Sequence, residues 1–232
     1  MPRRSTHRSP ARFIARTLAG VEIAPAPGFI EPCTPTLRKA PPKGEGWLHE
    51  IKYDGYRAQV HFDQRPRIYT GRGHDWADRM PIIARAIAAL PANAIVLDGE
   101  IVALDKKGMP SFPDVAKEPA KRGARIVYFA FDLLYLDGFD LRGAALIERK
   151  RVLREFMKTV FSERIGCCDH MEGEGAAVLE VACKMGLEGI VSKRADAPYR
   201  SGKRPEWIKT KSEAWREANR DRGQMFERRK AR

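Results

Sequence analysis

The sequence of residues 47–57 reads WLHEIKYDGYR, in which Lys52 lies among hydrophobic residues and is followed by Asp54-Gly55 and then by Arg57. Burial and neighbouring cations both favour the uncharged form of a lysine, which is the form that attacks an electrophile. The stretch therefore indicates an activated amine. It also fits a simpler structure, in which Asp54-Gly55 is a hairpin turn between two strands and Lys52 is an ordinary lysine at a strand edge.

Regular hydrophobic spacing continues along the rest of the chain. Ala58, Val60 and Phe62 alternate with polar residues, which is the period of a half-buried strand. The same spacing predicts a turn at 63–66, strands at 67–70, 126–136, 188–193 and 206–211, and a strand pair around 95–104. Apolar residues three and four positions apart predict helices at 78–90, 147–157 and 176–185. Strands outnumber helices and arrive mostly as hairpins, so we expect an α+β domain built on antiparallel sheets.

The two ends of the chain differ in composition from its centre. Residues 1–28 contain no acidic residue before Glu22 and are predicted to form a basic flexible arm. Residues 212–232 are predicted to form a charged helix or tail. The folded domain is expected between them, at residues 29–211. Residues 212–232 are too few for an OB-fold barrel, so no OB-fold domain is expected after Lys211.

Length and charge limit the class of protein. A chain of 232 residues that is 43% hydrophobic is long enough to bury a sizeable core. Its net charge of +13 predicts an anionic partner, and nucleic acid is the first candidate. The sequence has no secretory signal and no apolar run long enough to cross a bilayer, which favours a cytoplasmic location. The four cysteines and five histidines lack metal-site spacing, so a metal ion here would be oxygen-bound magnesium that arrives with a nucleotide.

Five stretches together carry a recognisable pattern. They are KYDGYR at 52–57, LDGE at 97–100, YFAFD at 128–132, EGIVSK at 188–193 and WIKTK at 207–211. In this order and spacing they resemble the motifs of the covalent nucleotidyltransferase superfamily, and within it the adenylation domain of ATP-dependent DNA ligases. The sequence of residues 47–57 is most similar to the ligase domain of bacterial non-homologous end-joining ligases. The resemblance covers residues 29–211.

The resemblance implies a covalent nucleotidyltransferase, or ATP-grasp-like, fold with two antiparallel sheets flanked by helices and the nucleotide between them. It implies that Lys52 attacks the α-phosphate of ATP, releases pyrophosphate and holds AMP through a phosphoramidate bond. The AMP would then pass to a 5′-phosphate at a DNA nick, and the neighbouring 3′-hydroxyl would displace it. The chain would thus be the minimal core of an ATP-dependent DNA ligase that acts in DNA repair or end joining, in recombination or in replication.

The resemblance also gives roles to the residues that would bind the nucleoside. Glu50 would recognise the edge of the adenine, Phe131 would stack on its ring, and Ile51 would line the same site. Arg57 and Glu100 would hold the ribose.

The phosphates and a metal ion account for the other candidate residues. Lys193, Lys209 and Lys211 would neutralise the phosphates, because phosphoryl transfer needs charge neutralisation more than it needs acid or base groups. The expected cofactors are ATP and Mg²⁺ or Mn²⁺. The carboxylates expected nearest the metal ion are Asp54, Glu100 and Glu188.

One further motif departs from the family pattern. Residues 69–76 read YTGRGHDW, with Gly71 where the family usually has an arginine. Arg72 lies one position further along. In a strand its side chain would point to the opposite face, whereas in a loop it could take over the contact with phosphate. The contribution of Arg72 to phosphate or nick binding therefore depends on the local structure.

Two other functions remain open. The chain could be an RNA ligase or a capping-type nucleotidyltransferase, or it could be a non-catalytic or sealing-only DNA-binding accessory protein that keeps the fold. The full set of charged residues around Lys52 favours the enzyme. The expected partners are nicked or broken duplex DNA and, for a stand-alone core, a protein that supplies an OB-fold or an end-bridging function. We expect a monomer in the bacterial cytoplasm, associated with the nucleoid and without membrane contact.

Overall fold

The computed structural model describes residues 10–110 and 125–219, and within these ranges the chain forms five helices and twelve strands. The helices are α1 (Pro10–Thr17), α2 (Pro81–Ala88), α3 (Leu146–Met157), α4 (Gly175–Lys184) and α5 (Glu213–Ala218). The strands are β1 (Glu22–Ile23), β2 (Cys33–Leu37), β3 (Trp47–Ile51), β4 (Tyr56–Asp63), β5 (Arg65–Thr70), β6 (Ala94–Leu104), β7 (Arg125–Leu136), β8 (Phe139–Asp140), β9 (Ile165–Cys167), β10 (His170–Met171), β11 (Gly189–Arg194) and β12 (Gly202–Lys211).

The larger of the two sheets is built around its two longest strands. Its order is β1-β8-β7-β6-β4-β5, and β9 lies parallel beside β7. The central strands β6 and β7 are 11 and 12 residues long and rich in β-branched and aromatic side chains, which fit a pleated surface. Most residues of both strands are buried, because helices cover one face of the sheet and the second sheet approaches the other.

The smaller sheet carries the strand that precedes Lys52. Its order is β10-β3-β11-β12-β2, and helix α4 packs on it through Val178 and Ala182 against Ile190. Strand β3 belongs to this sheet, whereas β4 belongs to the larger one. The chain therefore crosses from one sheet to the other at residues 52–55. Because β3 and β4 do not pair, the hairpin turn considered for Asp54-Gly55 is wrong.

Two hydrophobic clusters hold these layers together. The first lies between the larger sheet and helices α1, α2 and α3, where Ile83, Ile87 and Phe156 are fully buried. The second lies between the sheets and brings Leu134 of β7 against Trp207 of β12. Each fully buried side chain of this size stabilises the fold by about 1.5–3 kcal/mol. The second cluster therefore fixes the distance between the sheets beside the residues that bear the predicted chemistry.

The predicted α+β class agrees with this structure, and most predicted elements are present within a few residues of their expected ends. The expected strand pair around 95–104 is wrong, because Ala94–Leu104 is one continuous strand. Asp98-Gly99 resembles a turn in sequence. In the structure Asp98 is buried, and a Cβ at Gly99 would collide with the carbonyl oxygen of Phe129 on the neighbouring strand.

The sheets are not purely antiparallel. Strand β2 joins β12 in parallel, and β9 joins β7 in parallel. Both are short strands that pair with a longer strand from another part of the chain, so no local hairpin pattern in the sequence predicts them.

The N-terminal segment differs from the expected flexible arm at residues 10–23. Helix α1 places Ala11 and Ala15, four residues apart, in the main core with no exposed surface. Strand β1 pairs with β8 through Glu22 and Ile23. Residues 1–9 of the expected arm, and residues 220–232 of the expected C-terminal tail, lie outside the described residues. Among the helices described, none is long and apolar enough to span a bilayer.

Candidate active site

Lys52 lies at the crossing between the two sheets. It follows β3 directly, and its backbone N–H donates to the carbonyl oxygen of Gly189 at 2.9 Å, which ties the crossing to β11. Three residues later Gly55 passes close to β6, where a Cβ would collide with the carbonyl oxygen of Ile101. A residue with a side chain at position 55 would push the two strands apart. The Asp-Gly pair therefore allows a close sheet-to-sheet crossing.

The amine of Lys52 is paired with a buried carboxylate. Its Nζ lies 2.5 Å from Oε2 of Glu188, and Nζ of Lys211 lies 2.8 Å from Oε1 of the same side chain. One carboxylate thus bridges two ammonium groups. Lys209 lies on the same strand as Lys211, and burial together with the charges of Lys52 and Lys211 lowers the pKa of Lys209. The side chains at this end of the site carry a net positive charge, which suits an anionic ligand.

A second bridged carboxylate lies deeper between the sheets. Oε1 of Glu50 accepts a hydrogen bond from Nζ of Lys150 at 2.8 Å, and Oε2 accepts one from Nζ of Lys193 at 2.6 Å. All three side chains are almost completely buried. Because both oxygens are engaged, the carboxylate of Glu50 is held in one orientation.

Lys193 also lies between two aromatic rings. Its Nζ is 4.1 Å from the ring centroid of Phe131 and 4.1 Å from that of Trp207. Such distances allow cation–π attraction. Burial lowers the pKa of Lys193 despite the attraction of Glu50. The ammonium group therefore lies in surroundings that favour loss of its proton.

Arg57 is fixed by a network that links both sheets. Its Nε and Nη2 donate to the two carboxylate oxygens of Asp98 at 3.1 and 2.7 Å, and Nη1 donates to the carbonyl oxygen of Cys33 at 2.7 Å. Tyr199 completes the network, since its hydroxyl donates to Oδ2 of Asp98 at 2.6 Å and accepts from the backbone N–H of Cys33 at 3.0 Å. Burial opposes the charge of Arg57, but Asp98 outweighs it and raises the pKa of Arg57. The guanidinium group stays charged and cannot swing freely.

Glu100 is the carboxylate whose protonation the site changes most clearly. Burial raises the pKa of Glu100 from its usual 4.5 to about 7. Lys52 and Arg57 oppose this rise, whereas Glu188 and Asp98 add to it. Near neutral pH Glu100 is therefore present both as an acid and as a carboxylate.

These groups surround a cavity of about 230 Å³ between the two sheets. Most of the side chains predicted to bind nucleotide line it together with Lys52. The lining residues are Pro35, Glu50, Ile51, Lys52, Tyr53, Arg57, Glu100, Phe131, Val191, Lys193, Trp207 and Lys209. Glu188 and Lys211 reach the cavity through Lys52, by the bridge described above.

Arg72 stands apart from this group. Strand β5 ends at Thr70, so Gly71 and Arg72 lie in a turn, and the alternative in which Arg72 is part of a strand is wrong. Arg72 is exposed and does not line the cavity. A Cβ at Gly71 would meet nothing within 4 Å, so the turn has room for a larger side chain.

The expected metal ligands are only partly together. Glu100 and Glu188 act on one another electrostatically beside Lys52, and Asp54 is half-buried in the crossing segment. Over residues 10–110 and 125–219, no three His, Cys, Asp or Glu side chains form a group that could hold a metal ion alone. Glu100 and Glu188 would suit a Mg²⁺ ion held by one or two carboxylates together with phosphate oxygens, which is how Mg²⁺ is commonly bound beside phosphates.

Among the residues that shape the site and that sequence reasoning missed are Lys150 and Tyr199. For Lys150 a signal exists, because it lies on the face of helix α3 that also bears Leu146, Leu153 and the buried Arg149. Cations are almost never fully buried unless they are paired, so a lysine on the apolar face of a helix indicates a buried partner. Tyr199 lies in the segment between β11 and β12, where no periodic pattern marks it.

The comparisons with known proteins agree with this fold. Residues 30–211 match the family described as "ATP dependent DNA ligase domain". The chain is similar in structure to a mycobacterial DNA ligase D complexed with ATP and MES, with a TM-score of 0.67, 31% identity, and coverage of 78% of this chain and 59% of that one. For the ligase domain of LigD from M. tuberculosis the TM-score is 0.63 and the identity 35%, over 71% of this chain and 54% of that one.

Curated relatives give the same result. The chain is 37% identical to the multifunctional non-homologous end joining protein LigD of Pseudomonas aeruginosa over 213 residues, which are 91% of this chain and 25% of the relative. It is 38% identical to a probable DNA ligase of Beutenbergia cavernae over 171 residues, or 70% of this chain and 33% of the relative.

The fold is therefore that of a DNA ligase nucleotidyltransferase domain, which confirms the predicted fold class. The chain belongs to the family of ATP-dependent DNA ligase domains, and the resemblance found in its sequence is confirmed. It spans about a quarter of the length of the LigD of Pseudomonas aeruginosa and a third of that of the Beutenbergia cavernae ligase.

Proposed function

We propose that this chain is the adenylation core of an ATP-dependent DNA ligase, in which Lys52 is the nucleophile. Its Nζ attacks the α-phosphorus of ATP, so that a P–N bond forms, the bond to the β-phosphate oxygen breaks and pyrophosphate leaves. The main support for this proposal is that Lys52 lines one cavity with Glu50, Arg57, Glu100 and Phe131, which come from both sheets. A similar solved structure, the mycobacterial DNA ligase D, was determined with ATP.

The first requirement of this reaction is release of Lys52 from Glu188. The contact of 2.5 Å between Nζ and Oε2 holds the amine as an ion pair, in which it has no free electron pair for attack. Triphosphate oxygens compete for the cations at this end of the cavity. Once Lys209 and Lys211 pair with phosphate, Lys52, whose side chain is 21% exposed, gives its proton to water, and the neutral amine is then the nucleophile.

The metal ion supplies further neutralisation of the phosphates. We assign it to Glu100 and Glu188, whose carboxylates lie beside Lys52, with Asp54 as a third candidate. A magnesium or manganese ion held by one or two carboxylates and by the triphosphate would stabilise negative charge on the leaving pyrophosphate.

The nucleoside lies at the deeper end of the cavity in this proposal. Phe131 stacks on the adenine, Ile51 packs beside it and Glu50 faces its polar edge, while Arg57 and Glu100 hold the ribose. Arg57 is suited to this role because Asp98 and Tyr199 fix its position. Lys193, which lies against Phe131 and Glu50, moves toward the phosphates when the base enters.

The second half of the reaction transfers AMP to DNA. The net charge of +13 supports binding to the phosphate backbone, with affinity that falls as salt rises. Arg72, which is exposed on its turn, is a candidate contact to a DNA phosphate. The names of the LigD relatives support a role in end joining and DNA repair. A partner protein, a monomeric state and a location at the bacterial nucleoid remain parts of this proposal.

The test is covalent labelling by α-labelled ATP in the presence of magnesium. The wild type should retain an acid-labile label after denaturation, and Lys52→Ala should retain none. Lys52→Arg is the matched control, because it keeps a cation beside Glu188 but removes the nucleophile. Label on either variant, or no label on the wild type with Mg²⁺ or Mn²⁺, would contradict the proposal.

A second substrate separates the alternatives. A nick that already carries AMP on its 5′-phosphate requires no attack by Lys52. A chain that seals this nick but takes no label from ATP would be a sealing-only protein. A chain that binds the nick without sealing it would be an accessory protein, and preferential labelling by GTP would indicate a capping-type enzyme.

A further inference from the structure

Lys150 is a buried lysine whose hydrogen bonds are all used inside the protein. It lies on helix α3 with its side chain 3% exposed. Its Nζ donates to Oε1 of Glu50 at 2.8 Å, to the carbonyl oxygen of Cys168 at 3.0 Å and to that of Phe131 at 3.3 Å. An ammonium group has three donors, so none is left for a ligand. Lys150 can therefore act on a nucleotide only through the groups that it holds.

The acceptors of Lys150 come from three separate parts of the chain. Glu50 lies on β3 of the smaller sheet, Phe131 lies on β7 of the larger sheet, and Cys168 follows β9. One ammonium group therefore connects the two sheets at the deep end of the cavity. Glu50 and Phe131 are also the two residues to which the proposed function assigns the adenine.

We propose that Lys150 is a positioning residue for base recognition. It holds Glu50 and Phe131 in fixed positions relative to one another and so sets the preference for ATP over other nucleotides. This inference rests on the proposed function, because it needs a nucleotide in the cavity. It goes beyond that function by assigning the selectivity to a residue that makes no contact with the nucleotide.

The two lysines on Glu50 differ in their freedom to move. Lys193 lines the cavity and is assigned to the phosphates, whereas Lys150 reaches the cavity only through Glu50 and Phe131. When Lys193 turns to the phosphates, Lys150 remains as the cation paired with Glu50. Burial opposes the charge of Lys150, but Glu50 outweighs it and raises the pKa of Lys150.

Stability alone does not account for a lysine at this position. Buried ion pairs are often replaced by apolar side chains of similar size at little cost in stability. A base-recognition site, by contrast, discriminates strongly when its buried polar groups are correctly placed, because the wrong base leaves them unpaired. The position of Glu50, which Lys150 fixes, is therefore the property that the test has to measure.

The test compares Lys150→Met with Lys150→Arg and with Val152→Ala, a control on the same helix. Val152 is fully buried in the main core and lies two residues from Lys150, on another side of the helix, so its truncation should loosen α3 without acting on Glu50. Binding of ATP and of GTP is measured by calorimetry, and lysyl-nucleotide formation is followed in single turnovers. Thermal unfolding of each variant shows how much stability it has lost.

We expect Lys150→Met to weaken ATP binding by about tenfold or more and GTP binding by less, so that the ATP-to-GTP ratio shrinks. The labelling rate at saturating ATP should stay within about threefold of the wild type, because Lys150 does not touch the phosphates. Lys150→Arg should keep most of the wild-type ATP-to-GTP ratio, and Val152→Ala should leave that ratio unchanged. In a Glu50→Gln background, Lys150→Met should add little further loss.

An unchanged ATP-to-GTP ratio in Lys150→Met would overturn the inference and leave the proposed function intact. An equal decrease of the ATP-to-GTP ratio in Lys150→Met and in the control Val152→Ala would also overturn the inference and leave the proposed function intact. If Lys150→Met does not fold, the ATP-to-GTP ratio in Lys150→Gln and in Glu50→Gln decides, since both must lower it if Lys150 acts through Glu50. A wild type that binds ATP without forming the covalent product would refute the proposed reaction, while the binding ratios would still test Lys150. A wild type that binds neither nucleotide would refute both.

Discussion

The buried ion pair of Asp132 and Arg149 supports the deep end of the cavity, and its removal gives a sharp test of the structure. Both side chains have no exposed surface. Nε and Nη2 of Arg149 donate to the two carboxylate oxygens of Asp132 at 2.8 Å each. Nη1 donates to the carbonyl oxygens of Ala144 and Ala197 at 2.6 and 3.2 Å. Because Asp132 follows Phe131 and Arg149 precedes Lys150, this pair also fixes the residues that hold the base site.

The expected magnitude follows from burial of the charge. Asp132→Ala leaves a guanidinium group inside the core with only two carbonyl partners, and such a loss costs about 3–5 kcal/mol. In a chain of this size the melting temperature falls by about 2–4 °C per kcal/mol, so a drop of roughly 6–20 °C is expected. Asp132→Asn keeps the volume and one acceptor and should therefore cost less.

The double variant Asp132→Leu with Arg149→Met separates charge from packing. It removes both charges, so it should be more stable than Asp132→Ala even though it carries one more substitution. The carbonyl group of Ala144 then loses its donor from Arg149, which costs about 1–3 kcal/mol if no water reaches it, whereas that of Ala197 still accepts from the backbone N–H of Leu146. Measured against the single variants Asp132→Leu and Arg149→Met, the double variant should show a favourable coupling of about 2 kcal/mol or more between the two positions.

Urea unfolding followed by tryptophan fluorescence and by circular dichroism measures these differences. Coincident curves from the two probes are needed before free energies are compared. A loss below about 1 kcal/mol for Asp132→Ala would show that the guanidinium finds water or another partner, which contradicts the complete burial. Additive effects in the double variant would show that the two side chains are not paired in solution.

Three other substitutions test the rest of the site. Tyr199→Phe leaves the N–H of Cys33 without its acceptor, so we expect a loss of about 1–3 kcal/mol in urea unfolding, and a change below about 0.5 kcal/mol would argue against that hydrogen bond. Glu100 keeps its proton up to about pH 7 in the folded state but only to about 4.5 when unfolded, so its contribution to stability is present below about pH 4.5 and lost as pH rises through 7. Relative to Glu100→Gln, the wild type should therefore lose stability across this window, and parallel pH curves would contradict the raised pKa. Gly189→Ala adds a side chain at φ +146° against the carbonyl oxygen of Thr210, which should cost about 1–3 kcal/mol or more, and a stable variant would contradict the close pairing of β11 and β12.

Much of the fold was accessible from the sequence because hydrophobic spacing records which face of an element is buried. The predicted helix at 147–157 is α3 at Leu146–Met157, and that at 176–185 is α4 at Gly175–Lys184. The five motifs also identified the residues around Lys52, since most of them line one cavity. Their individual roles stay predictions.

Other features depend on contacts between distant residues, which spacing does not record. Helix α1 buries only two alanines, so its apolar face is too small to stand out within a basic segment. Asp98-Gly99 has the composition of a turn, but pairing of Asp98 with Arg57 and the missing side chain of Gly99 keep β6 continuous. The partners of Lys150 lie 100, 19 and 18 residues away along the chain, so no local pattern reveals them.

The two bridged carboxylates of the site differ in one physical respect, and this difference separates reaction from recognition. Glu188 is held by Lys52 and Lys211, whose side chains are 21% and 27% exposed. Glu50 is held by Lys150 and Lys193, whose side chains are only 3% and 2% exposed. Cations that water can reach are able to exchange a carboxylate for an incoming phosphate at little cost, whereas fully buried cations lose more when their partner is removed. The shallow bridge is therefore suited to release the nucleophile, whereas Lys150, which stays on Glu50 when Lys193 turns to the phosphates, is suited to keep the base site in one shape.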